Sequence, residues 1–383
     1  MFVTLIAFII ILSVLVLIHE LGHYLVAKKL GIKVEEFGIG FPPRAYGKKI
    51  GETLYSINWL PIGGFVKLYG EDSAGGGKIV VGSKQNAASK EVHATSHMLH
   101  AAGDSDIKRA FFARPLWQRM AVVTAGVIMN FVLAVVLISF LFSTQGVPLP
   151  TDNVIVSGIS KNSPAEMVGL QNEDKILRIN DKVINKTDDF ISETKKLRGT
   201  EVSLLVLRND KEFTVSLTPR LNPPKGEGAM GVSITNIVVK KYTWYEAPIY
   251  GTVEAGKFSW LILSGLSDMV RDLFTGGVKP ETVAGPIGVA QLTGEAVRAG
   301  WFAVLWFVAL LSLNLAVLNI MPIPALDGGR FFFMIIELVT RRRVSAKYEG
   351  YAHAVGLVVL LGLMVLITLL DLSRLVQGKS ILP

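Results

Sequence analysis

The 383-residue chain contains no cysteine. That absence excludes disulfides and thiolate metal sites, so any bound metal must be held by histidine and carboxylate side chains. Charge is also scarce, at 18% of residues against 50% hydrophobic. The net charge of +8 comes from lysines and arginines that flank apolar blocks, not from a basic stripe interleaved with aromatics, so no nucleic-acid partner is expected. The first apolar run lacks a basic region before it and a small-x-small cleavage site after it, and is read as a retained span, not a signal peptide.

What the chain does have is four apolar blocks of membrane length: Phe2 to Ala27, Met120 to Phe142, Trp301 to Ala325 and Ala354 to Leu370. They predict an α-helical polytopic membrane protein with transmembrane helices over residues 1–30, 118–143, 300–326 and 353–372. Lys28, Lys29 and Lys33 follow the first block. Lys108, Arg109, Arg114 and Arg119 precede the second, and Arg341, Arg342 and Arg343 lie between the third and fourth. By the positive-inside rule, residues of about 28–119 and 326–353 are cytoplasmic, and both termini and residues of about 143–300 are outside.

Between the spans, residues 34–72 alternate apolar and polar side chains and read as a membrane-associated β region, with Tyr46-Gly47 and Gly51-Glu52 as punctuation. An edge strand at Gly64, Phe65 and Val66 could pair with an extended peptide; the alternative is a small structural sheet. Residues 73–107 read as a flexible insert, whose His93, His97 and His100 find no carboxylate to complete a metal site. Residues 150–235 read as one globular module of short strands, with a helix opened by Ser163 and Pro164 and another over Thr187 to Leu197. Residues 240–298, with Trp244, Tyr245, Phe258 and Trp260, read as extracytoplasmic amphipathic helix on the membrane surface.

The chemistry-bearing stretch is HELGH at the end of the first span. His19 and His23 are four apart, so a helix projects both from one face towards a single cation. Glu20 stands beside them to take a proton from an attacking water, and Gly22 is read as leaving room for a substrate. Ionisable residues within a span are costly and default to a functional reading. Two histidines leave a catalytic zinc short of a third protein ligand. The third span ends in NIMPIPALDGGR, which brings Asp327 to the membrane level of the histidines; the competitor, Asp371, lies at the outer end of the fourth span.

HELGH, NIMPIPALDGG, the GxxxN pattern of Gly126 and Asn130, and AGPIGVA together resemble the site-2 protease family, in particular the bacterial RseP-like intramembrane zinc metalloproteases. The resemblance covers nearly the whole chain and implies Zn2+ held by His19, His23 and Asp327, with Glu20 as general base. It implies substrate contacts from Asn319, Pro322 and Pro324 and from the Gly64-Phe65-Val66 edge, and a PDZ-like domain over 150–235 that could take an extracytoplasmic peptide C-terminus. Gly126 and Asn130 read equally as helix packing or substrate contact. The implied partners are the lipid bilayer and single-span membrane proteins, such as anti-sigma factors or remnant signal peptides, in a bacterial cytoplasmic (inner) membrane. Two rivals stay open on sequence: another membrane HExxH protease class with Glu or His as third ligand, and a scaffold whose metal is structural.

Overall fold

The structure is a computed structural model that describes residues 2–71, 107–275 and 285–377. The chain divides into two units, residues 1–141 with 244–383, and residues 142–243. The predicted insert at 73–107 lies outside the described residues apart from its last position.

Among the described residues, α1 (Phe2–Lys29), α2 (Leu116–Thr144), α7 (Trp301–Ile320) and α9 (Ala346–Val376) carry the four segments long and apolar enough to cross a membrane. The 28 residues of α1 extend about 42 Å, more than a hydrocarbon core of about 30 Å. Lys28 and Lys29 end it, where cations suit the helix dipole. Phe2, Ile6 and Ile10 of α1 and Val355, Val358 and Val359 of α9 are exposed, an apolar surface suited to contact with lipid. α7, the third span, stops at Ile320, not near Ala325, because Pro322 and Pro324 cannot continue it.

Between α1 and α2 lie β1 (Val34–Ile50) and β2 (Thr53–Leu68). Gly38 is paired with both Phe65 and Ser56, and Ile39 with both Gly64 and Ile57, while Arg44 to Ile50 run beside Asn58 to Thr53. The two strands therefore fold into a ribbon four segments wide, in the order 44–50, 53–58, 36–39, 64–68. Residues 64–68 form an outer edge. Gly51-Glu52 makes the turn as expected, whereas Tyr46-Gly47 stays within the strand.

The region read as a surface helical segment contains α5 (Ala247–Thr275) and α6 (Pro286–Ala299). Trp244, Trp260 and Leu261 are exposed, but α5 also packs on the spans: Phe258 meets the Trp306 ring, and a side chain at Gly251 would strike Ser139. α6 departs further from expectation. It packs against α1, α7 and α9, with Gly288, Thr293 and Gly294 buried. Its small residues permit that approach, and its 14 residues reach only about 21 Å, too short to cross. Finally α8 (Asp327–Thr340) follows the turn after α7.

The second unit is a six-stranded antiparallel sheet with two helices. Its elements are β3 (Val147–Ile159), α3 (Pro164–Met167), β4 (Lys175–Ile179), β5 (Lys182–Val183), α4 (Thr187–Lys196), β6 (Val202–Arg208), β7 (Lys211–Leu217) and β8 (Val232–Lys240). The order is β7-β6-β4-β3-β8, with β5 on β4. Alternating residues Val154, Val156, Ile176, Leu204 and Val206 bury with Phe190 and Met230 to form its core. Ser163 Oγ accepts the Glu166 amide and caps α3, with Pro164 in the first turn. Asn209 and Asp210, both at positive φ, turn β6 into β7. The sheet runs from Val147 to Lys240, so it extends beyond 150–235 at both ends.

Candidate metal centre and active site

His19 and His23 sit one helical turn apart on α1 and turn their Nε2 atoms towards Asp327, the first residue of α8. Asp327 Oδ2 is 2.9 Å from His19 Nε2 and 3.2 Å from His23 Nε2, and the two nitrogens are 3.2 Å apart. Donors at about 2.0–2.1 Å from one tetrahedral ion would be roughly 3.3–3.4 Å from each other. The set thus fits a single small cation, and its two imidazoles and one carboxylate suit zinc. Among the described residues it is the only group of three such side chains close enough to share an ion.

Local chain geometry fixes two of the three donors. His23 Nδ1 lies 2.8 Å from the Val122 carbonyl oxygen, which can only accept, so His23 carries its proton there and keeps Nε2 free. Asp327 is presented by the turn 321–326, where Ala325 takes φ +81° and its amide donates to His353 Nδ1 at 2.8 Å. That turn folds back so tightly that a Cβ on Gly328 would come within 2.0 Å of the Met321 carbonyl oxygen. On the opposite side, a Cβ on Gly126 of α2 would lie 2.5 Å from His23 Nε2 and 2.6 Å from His19 Cε1. Gly126 therefore makes room for the two rings.

Glu20 shares a cavity of about 170 Å³ with His23, Asp327, Phe65, Val66 and Arg330. The Val66 backbone N–H lies against the Glu20 carboxylate. The outer ribbon edge thus passes directly beside the candidate base, and Gly64 also approaches it, 3.9 Å from Glu20 Cγ to an added Cβ. Asn319 is half-buried in the last turn of α7. Neither it nor Pro322 or Pro324 lines this cavity or the neighbouring one of about 420 Å³ beside Asp327 and His353. The Pro324 carbonyl instead faces α9 at Gly356.

One sequence reading changes, and the competing third ligand falls away, as expected from its membrane depth. Gly22 does not open a substrate path: it is buried against α2, where a Cβ would lie 2.4 Å from the Ala125 carbonyl oxygen. Asp371, the rival third ligand, is fully buried elsewhere, accepting the Gly288 amide at 3.0 Å with Arg374 Nη1 at 3.7 Å. Three neighbours of the site escape the sequence reading. Arg330 follows Asp327 by three residues on α8 and pairs with Glu71 at the end of the ribbon. A charge at that spacing on one helix face was a usable signal. His353 is an ionisable residue on the fourth span, a position that by rule invites a role.

The family model for peptidase family M50 matches residues 7–363 of this chain. A protein of Clostridium perfringens carrying a provisional zinc-metalloprotease name is 35% identical over 361 residues, covering 94% of this chain and 96% of the relative. The regulator of sigma-W protease RasP of Bacillus subtilis is 31% identical over 423 residues, covering 97% and 99%. Among solved structures, the PDZ domain of an SdrC-like protein from Listeria monocytogenes matches 23% of this chain and 94% of that domain, at 22% identity and a TM-score of 0.21. With matches running through both the HELGH and LDGG stretches, the chain belongs to peptidase family M50, the site-2 protease family, and is an intramembrane zinc metalloprotease.

Proposed function

We propose that the chain hydrolyses peptide bonds within the transmembrane segments of single-span membrane proteins, with His19, His23 and Asp327 holding zinc and Glu20 as general base. The observation that carries this reading is the convergence of two imidazole nitrogens from α1 and a carboxylate oxygen from α8, with Glu20 and the outer edge of the ribbon beside them. When bound, zinc supplies Lewis acidity, acidifying water and polarising a carbonyl. Glu20 takes a proton from the attacking water and delivers it to the amine nitrogen as the C–N bond breaks. A substrate helix satisfies its own backbone and must unwind to react. The edge at Gly64, Phe65 and Val66 gives the unwound segment new backbone partners by strand addition. Substrate contact by Asn319, Pro322 and Pro324 rests on the family resemblance alone, because none of the three lines the cavity beside Glu20.

The topology of this reading puts both termini and the PDZ-like module outside a bacterial cytoplasmic membrane and cleavage near the inner face. The cations expected inside do gather at one end of the helices: Lys28 and Arg109 share Glu52, Arg114 donates to the Leu30 carbonyl, and Arg119 and Arg343 share Glu337. Anti-sigma-factor-like proteins or remnant signal peptides are the substrate class this supports, and a peptide C-terminus the ligand of the PDZ-like module. The test is cleavage of a single-span substrate by the chain reconstituted in liposomes. Wild type cleaves within the span and Glu20→Gln does not, although it still binds zinc. Cleavage by Glu20→Gln at the wild-type rate would remove Glu20 from its role.

A further inference from the structure

Asn130 on α2 is fully buried, one turn beyond Gly126, with its side-chain amide against the outer nitrogen of His19. Its Nδ2 lies 3.4 Å from His19 Nδ1, and its Oδ1 is buried without a hydrogen-bond partner. Its backbone is held independently, because Ser312 Oγ on α7 donates to the Asn130 carbonyl at 2.8 Å.

A neutral imidazole carries one proton. If His19 offers the Nε2 lone pair to a cation, that proton must sit on Nδ1, and Nδ1 becomes a donor. The Asn130 NH2 is also a donor, so in this orientation two N–H groups oppose each other in a buried site. Rotating the amide by 180° exchanges Oδ1 and Nδ2 without changing the shape of the side chain. It sets an acceptor on the His19 Nδ1–H and leaves Nδ2, instead of Oδ1, without a protein partner. His23 needs no such choice, since the Val122 carbonyl can only accept.

We propose that Asn130 is a positioning residue for the metal centre: its Oδ1 accepts the His19 Nδ1–H and so fixes the ring in the tautomer that presents Nε2. This deepens the zinc reading above and rests on it. Asn130 touches neither metal nor substrate in this role. It acts through His19, as the Val122 carbonyl acts through His23.

The test measures zinc affinity, by competition with a chromogenic chelator, on the full chain in detergent micelles. Asn130→Leu keeps the volume and removes the acceptor, and should weaken zinc binding roughly 10–100-fold, the usual loss when an outer partner of a ligating histidine is removed. Asn130→Asp supplies only acceptor oxygens at the same place and should bind zinc at least as tightly as wild type. Wild-type affinity in Asn130→Leu overturns the proposal, as does a tenfold loss in Asn130→Asp. Should Asn130→Leu fail to fold, Asn130→Asp decides alone, because a residue needed as an Nδ2 donor cannot be replaced by a carboxylate. A wild-type chain that takes up no zinc would sink the metal reading itself, which is a different result from wild-type uptake that ignores position 130.

Discussion

Arg330, one turn into the helix that begins at Asp327, forms an ion pair with Glu71 at the end of the β ribbon. Glu71 also accepts the Leu68 amide at 3.4 Å, so the pair ties the ligand-bearing helix to the strand edge proposed to hold substrate. Both residues line the cavity that contains Glu20. Arg330→Ala and Glu71→Ala should each reduce kcat/KM while zinc content stays unchanged. The pair is partly exposed, so a double-mutant cycle should give a coupling of only about 1 kcal/mol. Additive losses would show that the two act separately.

Gly126 has no space for a methyl group, because the His19 and His23 rings fill it. Gly126→Ala should therefore displace the imidazoles and abolish both zinc uptake and cleavage, while the chain still elutes as a folded species in size-exclusion chromatography. Full zinc content in this variant would contradict the contact.

Glu52, in the turn between β1 and β2, accepts hydrogen bonds from Arg109 at 2.7 Å and Lys28 at 3.1 Å. Arg109 first, and Lys28 with it, hold its carboxyl down to about 2 from an ordinary 4.5. A depressed carboxylate contributes stability that is fully present above about 4.5 and lost as pH falls through about 2. Glu52→Gln should lower the melting temperature at pH 7, and its deficit relative to wild type should shrink between pH 5 and pH 2. A deficit that does not change with pH would assign the loss to packing.

The sequence makes some of this legible for identifiable reasons. The long spans stand out because lipid demands unbroken apolar runs, and His19 and His23 can be brought together because a helix repeats its face every fourth residue. Asp327, 308 residues from His19, is matched to it by membrane depth and by the family resemblance, not by spacing. The ribbon is harder. Residues 36–39 pair on both sides, and nothing in their alternation says that one segment serves two partners. Gly22 misleads because sequence shows a missing side chain without showing which neighbour needs the space. α6 misleads because it is too short and too rich in small residues to read as anything but surface helix until α1, α7 and α9 are placed around it. Asn130 carries a readable motif, but its bearing on His19 depends on how α1 and α2 cross.

The zinc content of purified Asp327→Ala, measured beside wild type and Glu20→Gln, decides whether His19, His23 and Asp327 form one metal site. Wild type and Glu20→Gln should each hold one zinc per chain and Asp327→Ala should lose it, an expectation that follows because two histidines alone leave the ion without its third protein ligand. Full zinc occupancy with undiminished cleavage in Asp327→Ala would contradict it.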